Sequence, residues 1–195
     1  NYDWPVSDLD YADTMLGLYR YYRPTVESFP QRNRLYVTDD SLDAKWQQKV
    51  EQTTDGFKVG ICWRSGKQNL IRNANYPDIN EWGAVFEAKN VTFFNLMYDE
   101  CSDEIAFIKE KYNMDLITFD NLDYKNDLDD VFSLTKQMDM VVSVGSAPAC
   151  IAGVLGIETH MLVKGAGWEM FGTDKLMDHV KRALSKNPYE YFKVI

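Results

Sequence analysis

The chain has 195 residues, 45% of them hydrophobic and 14% aromatic, enough apolar material for one sizeable core. A formal net charge of −9 and a pI near 4.7 exclude an extended contact with nucleic-acid phosphate or anionic lipid, because each needs a concentrated basic face and the sequence has none. No stretch reaches the roughly 18 unbroken apolar residues of a membrane span, and the opening NYDWPVSDLD lacks the basic-then-apolar order of a signal peptide, so a soluble, cytoplasmic protein is expected.

Residues 1–34 are rich in Tyr and Asp, and ADTMLGLYRYY predicts one amphipathic helix closed by Pro24. This segment reads as an appendage. In RLYVTDDSLDAKWQQKVEQ, Ser41 is placed to cap a helix that carries Leu42, Trp46 and Val50 on one face. From Phe57 the pattern becomes regular. FKVGICW predicts a strand, DINEWGAVFEAK a helix, VTFFNLMY a strand, SDEIAFIKEKY a helix capped by Ser102, and DLITF a third strand. DLDDVFSLTKQ follows as a helix whose acidic start suits the positive end of its dipole. MDMVVSVG, APACIAGVLG and ETHMLVK then predict strand, helix and strand, with DKLMDHVKRALSK as a closing helix. This alternation predicts an α/β, Rossmann-like parallel sheet with helices on both faces, spanning residues 35–195.

In an open parallel sheet, ligands bind beyond the carboxyl ends of the strands, so the corners after them are informative. At SVGSAPAC, Gly145 permits a tight turn, Ser146 is placed to cap, and Pro148 is tolerated in the first helical turn. The amides of Ser146, Ala147 and Ala149 would then form an anion site, although any strand-to-helix turn favours Gly and Ser. Gly153 fits close helix-to-sheet packing, and Gly156 a helix stop.

At CWRSGKQNLIRN, Arg64 and Lys67 are positioned to pair with phosphate oxygens. The spacing is not that of a P-loop, Gln68 replaces the magnesium-binding Ser or Thr, and no dinucleotide fingerprint follows the strand.

Asp127 and Asp129 form a D-x-D, a pair able to hold a divalent metal beside a sugar diphosphate, but acids at a helix start have an ordinary role as N-cap and dipole partners. The latter reading is favoured, and no metal is expected. Cys62, Cys101 and Cys150 are widely spaced without a C-x-x-C, encoding neither a disulfide framework nor a zinc site; Cys62 and Cys150 lie in apolar context and are expected in the core. His160 and His179 lack any motif and read as structural.

The stretches VGICWRSG, EWGAVFEAKNVTFFNLMYDE and NLDYKNDLDDVFSLTKQMDMVVSVGSAPACIAGVLGI, with Gly167-Trp168 after them, resemble the C-terminal half of GT-B glycosyltransferases. The similar proteins are those in which tetratricopeptide repeats precede a heptosyltransferase-like or O-GlcNAc-transferase-like domain. The resemblance runs from about Pro24 to Trp168. It implies that the corner at Gly145, Ser146, Ala147 and Pro148 seats the diphosphate of a nucleotide-sugar, with Arg64, Ser65 and Gly66 across the cleft and Lys125 and Asp127 as lining. Transfer to a protein or glycan acceptor would be metal-independent, with the amides and Arg64 stabilising the leaving nucleoside diphosphate. Many relatives carry Asp-Thr at Gly145-Ser146, His at Cys150 and Gln at Met97, so a non-catalytic nucleotide or sugar-nucleotide binding module is the alternative. Residues 1–34 would be what remains of the acceptor-side domain.

Overall fold

The computed structural model describes residues 13–14, 17–28, 35–66 and 76–162. The chain divides into two compact units, Asn1–Arg32 and Asn33–Ile195. In the first, the described part of the segment expected as an amphipathic helix holds one helical turn, α1 (Tyr19–Tyr22), followed by a 3-10 turn at Val26–Ser28. Tyr21 and Tyr22 stay 59% and 68% exposed, so little apolar burial offsets the cost of nucleating a short helix.

The second unit begins with α2 (Asp40–Glu51), whose cap is Asp39 rather than Ser41. The Asp39 carboxylate accepts from the amides of Ser41 (2.8 Å) and Leu42 (3.1 Å), and the Ser41 hydroxyl also donates to it. A full negative charge beside the helix start makes it the stronger acceptor. Trp46 and Val50 are buried on the predicted face.

There follow β1 (Phe57–Cys62), a 3-10 turn at Ile79–Trp82 running into α3 (Gly83–Phe86), β2 (Val91–Asn95), α4 (Ser102–Tyr112), α5 (Leu128–Lys136), β3 (Met140–Val144), α6 (Ala147–Leu155) and β4 (Glu158–Leu162). The strands form one parallel sheet in the order β2-β1-β3-β4, with Ile61 opposite both Asn95 and Val142. The fold is thus an α/β, Rossmann-like parallel sheet surrounded by helices. β3 is buried at every position, as a central strand covered on both faces must be. Gly60 lets the layers close: a Cβ there would lie 2.5 Å from Leu96 Cδ1 and 3.2 Å from Met138 Cγ.

Several local expectations need correction. The single helix expected over DINEWGAVFEAK is a capped 3-10 turn, in which Asp78 and Glu81 bond reciprocally, plus one α-turn. Ser102 is the first helical residue of α4, and Cys101 holds the cap position. DLITF supplies one bridge, Phe94 with Ile117, instead of a strand; beyond it the Phe119 amide turns to the Tyr124 hydroxyl (3.0 Å), which ends the pairing. Gly153 is exposed with no atom within 4 Å of its would-be Cβ, so it does not serve close packing. Gly156, at φ 75°, ends α6 in the left-handed conformation. The closing helix at DKLMDHVKRALSK, His179 and Gly167-Trp168 lie outside the described residues. No described helix is long and apolar enough to cross a membrane.

Candidate functional site

Because β1 and β3 are neighbours, with Cys62 opposite Ser143, the two corners singled out in the sequence meet side by side beyond the carboxyl ends of the strands. The Cys62 thiol joins them: its Sγ lies 3.4 Å from Ser146 Oγ and 3.3 Å from the Arg64 carbonyl oxygen.

At the β3 corner, Gly145 and Ala147 are exposed and Pro148 is buried in the first turn of α6. Ser146 occupies the N-cap position with extended backbone (φ −147°, ψ 177°), but its hydroxyl makes no capping bond. Instead it turns inward, 3.2 Å from Ser143 Oγ and 3.3 Å from the Val144 carbonyl oxygen. Of the three amides expected to face outward, that of Ala149 donates to the Ser146 carbonyl (3.1 Å). The amides of Ser146 and Ala147 have no described acceptor, and they sit at the positive end of a helix of 9 residues. The corner turns without left-handed backbone at Gly145, since Gly156 is the described glycine with positive φ.

Cys150 corrects an expectation. It is exposed, because α6 buries the stripe of Pro148, Ala149, Ile151, Ala152 and Leu155 and turns Cys150 and Gly153 to the other side. Cys62 is fully buried, and burial pushes its thiol up to about 11.

At the β1 corner, Arg64 leans toward α4. Its Nε donates to Glu104 Oε1 (2.7 Å), and Nη2 to Glu104 Oε2 (2.5 Å) and to the Glu100 carbonyl (2.7 Å); Asp99 lies 3.8 Å from Nη1. Trp63 Nε1 joins the same carboxylate at 3.0 Å. Ser65 is buried with its Oγ 3.0 Å from the Tyr98 hydroxyl. Gly66 packs so closely that a Cβ would meet Tyr98 Cε2 at 3.0 Å and Asp99 Cβ at 3.1 Å. Lys67 lies outside the described residues.

Beyond β2 an open cleft of about 430 Å³ lies between the start of α4 and the segment from Thr118 to Asn126. Lys125 lines it and Asp127 does not. Asp123 shapes its rim by accepting from the amides of Lys125 (2.9 Å) and Asn126 (3.0 Å), and the Asn126 side chain and those amides hold its carboxyl below the usual range. Tyr124, whose hydroxyl accepts from Phe119, is pushed up to about 12 by burial. The cleft also carries Asp99, Glu100 and Asp120, so its described charge favours the uncharged part of a ligand over its phosphates.

The D-x-D acids are separated by their partners. Asp127 holds the N-cap position without a capping bond from its side chain and accepts from the Asp123 amide at 3.3 Å. Asp129 lies 3.3 Å from the Tyr36 hydroxyl. Among the described residues no cluster of three His, Cys, Asp or Glu side chains is arranged to hold a metal ion. His160 is buried in β4 with Nε2 3.2 Å from Glu158 Oε1.

Sequence reading missed Glu104, Ser143 and the bridging role of Cys62. Glu104 stands beside Asp103 in the first turn of α4, where acids suit the helix dipole. Its pairing with Arg64 needs the β1–β2 adjacency, which no local pattern encodes.

The fold is that of a Rossmann-like parallel α/β domain, in which the amides of Ser146 and Ala147, beyond the central strand β3, have no described acceptor. No known family's sequence profile matches the chain, and no solved structure matches it. Over 152 residues, 78% of its length, the chain is 36% identical to Protein FlbA of Caulobacter vibrioides (strain ATCC 19089 / CIP 103742 / CB 15). That alignment covers 26% of FlbA, so the chain spans about a quarter of the length of the curated relative it matches.

Proposed function

We propose that residues 35–195 are the donor-binding domain of a GT-B glycosyltransferase and seat the diphosphate of a nucleotide-sugar at the β3 corner. The observation that carries this reading is the pair of Ser146 and Ala147 amides, without a described acceptor, at the carboxyl end of a central parallel strand. The resemblance of the corner sequences to that family supports it.

In the reaction, an acceptor hydroxyl on protein or glycan attacks the anomeric carbon as the bond to the diphosphate oxygen breaks, and the hydroxyl proton passes to the departing diphosphate or to solvent. Negative charge grows on that oxygen. The two amides and the α6 dipole stabilise it without a metal ion, with Arg64 contributing from the neighbouring corner. The nucleoside end lies toward the cleft lined by Tyr124 and Lys125.

One observation favours the second reading, a nucleotide-binding module without turnover: Arg64 already spends its guanidinium on Glu104 and the Glu100 carbonyl. Two experiments decide. A thermal-shift screen with UDP, ADP, GDP and their sugar conjugates should raise the melting temperature with at least one of them, through mass action on the folded state; no shift with any removes the donor-binding reading. Slow hydrolysis or transfer of the preferred nucleotide-sugar, reduced in Arg64→Ala, supports the enzyme. Binding without any turnover supports the module.

A further inference from the structure

Asn95, the last residue of β2, lines the cleft beyond that strand and is 3% exposed. Its Oδ1 accepts from the Met97 amide at 2.9 Å. A backbone N–H can only donate, so this bond identifies the oxygen and leaves the side-chain NH2 on the other branch. The NH2 carries two hydrogens, and among the described residues its acceptor is the Cys101 sulfur at 3.8 Å, a weak partner at long range. One such contact leaves a hydrogen of a buried donor without a described acceptor, in the wall of a cavity of about 430 Å³. A donor in that position is costly until something in the cavity accepts from it.

The rest of the cleft indicates what the accepting atom belongs to. Asp99, Glu100, Asp120 and Asp123 outnumber Lys125 among its charges and disfavour phosphate, whereas Ile105, Phe119 and Tyr124 give it apolar walls that suit a flat ring. Nucleobases differ in what they offer a donor: uracil and guanine carry exocyclic carbonyl oxygens, while the exocyclic group of adenine is an amino group that itself donates. The pairing by which an Asn side chain reads adenine uses its oxygen as well as its NH2, and here the oxygen is turned to the Met97 amide. We propose that Asn95 is a specificity-determining residue for the nucleobase: its spare amide hydrogen donates to an exocyclic carbonyl, so the cleft takes uracil or guanine and rejects adenine. An adenine amino group at that point would set donor against donor and leave the amide hydrogen buried and unpaired. The inference rests on the donor-binding reading and narrows the base of its nucleotide-sugar.

The test is calorimetric titration of the whole chain with UDP, GDP and ADP, in wild type and in Asn95→Asp, which keeps an oxygen for the Met97 amide and removes the donor. The three ligands share one diphosphate, so the ratio of their affinities reads the base alone. Wild type is expected to bind UDP or GDP roughly tenfold or more tightly than ADP, the effect of one hydrogen bond whose buried partner is otherwise left unpaired. The tighter of the two identifies the base. Asn95→Asp should bring the ratio close to one, whereas a merely structural role of Asn95 would leave it unchanged. Melting curves check that the variant folds, and Asn95→Ala reads the same ratio if it does not. In wild type, the side-chain amide signals of Asn95 in an NMR spectrum should move with the preferred nucleotide and stay in place with inorganic pyrophosphate. ADP bound as tightly as both others, or a preference that survives in Asn95→Asp, overturns the role of Asn95 and leaves the diphosphate site standing. A chain that binds none of the three overturns the donor-binding reading and this inference with it.

Discussion

Glu104→Ala removes the carboxylate on which the β1 corner converges. In the folded chain it accepts from Trp63 Nε1 at 3.0 Å and from Arg64 at 2.7 and 2.5 Å. Trp63 is 2% exposed, so its indole N–H loses its acceptor away from water, at a cost of about 1–3 kcal/mol. The Arg64–Glu104 pair is 14% and 27% exposed by side chain, and Arg64 keeps the Glu100 carbonyl at 2.7 Å, so the lost ion pair adds only about 1 kcal/mol. The sum is about 2–4 kcal/mol, or a melting temperature lower by roughly 5–12 °C for a unit of this size. Glu104→Gln retains an acceptor for Trp63 and should cost only about 1 kcal/mol. Urea denaturation followed by circular dichroism measures both. An alanine variant within about 0.5 kcal/mol of wild type, or one equal to the glutamine variant, would refute the argument that the buried indole is what makes this carboxylate matter.

Gly153→Ala should stabilise the chain by about 0.5–1 kcal/mol in the same assay, since the position is helical, exposed and has open space around its would-be Cβ. Burial opposes ionisation of Asp43, yet its hydrogen bonds from Lys136 and Thr38 prevail and leave its carboxyl below the ordinary value. A folded value below the unfolded one gives stability that is full above the unfolded pKa and is lost as pH falls through the folded pKa. Asp43→Asn should therefore be less stable than wild type by roughly 1 kcal/mol at pH 7, with the gap narrowing as denaturation is repeated at increasingly acidic pH. A thiol reagent applied to the native chain should label Cys150 first, with Cys62 and Cys101 reacting only on opening, since both are buried and burial raises both thiols. Peptide mapping of the labelled chain reads the order.

The sheet was legible because its strands are short β-branched and aromatic runs at regular spacing. β3 reads MVVSV and is buried throughout, and β1 and β2 are buried beyond their first two residues. The α6 helix was legible from Gly-Ser-Ala-Pro before it and Gly156 after it. Other features depended on neighbours remote in sequence. Ile117 reads as strand but gains only one bridge, because Tyr124 takes the next amide. The acids at the start of α5 read as dipole partners, yet Asp130 accepts from Lys45 at 2.6 Å and Trp46 Nε1 at 2.7 Å, fastening α2 to α5 across 84 residues of chain. At the candidate site, the β3 corner followed from sequence, but of the three amides expected to face outward that of Ala149 is taken by the Ser146 carbonyl. The direction of Arg64 did not follow, because its partner Glu104 is 40 residues away on a helix whose place is set by the sheet order.

The central claim is that the amides of Ser146 and Ala147 receive a diphosphate. Isothermal titration of the chain with UDP, ADP, GDP and their sugar conjugates tests it most directly, paired with backbone amide NMR shifts on adding the preferred ligand. Saturable heat with one nucleotide, together with the largest shifts at Ser146 and Ala147, is the predicted result. Heat without movement at those two amides, or no heat with any of these ligands, would contradict it.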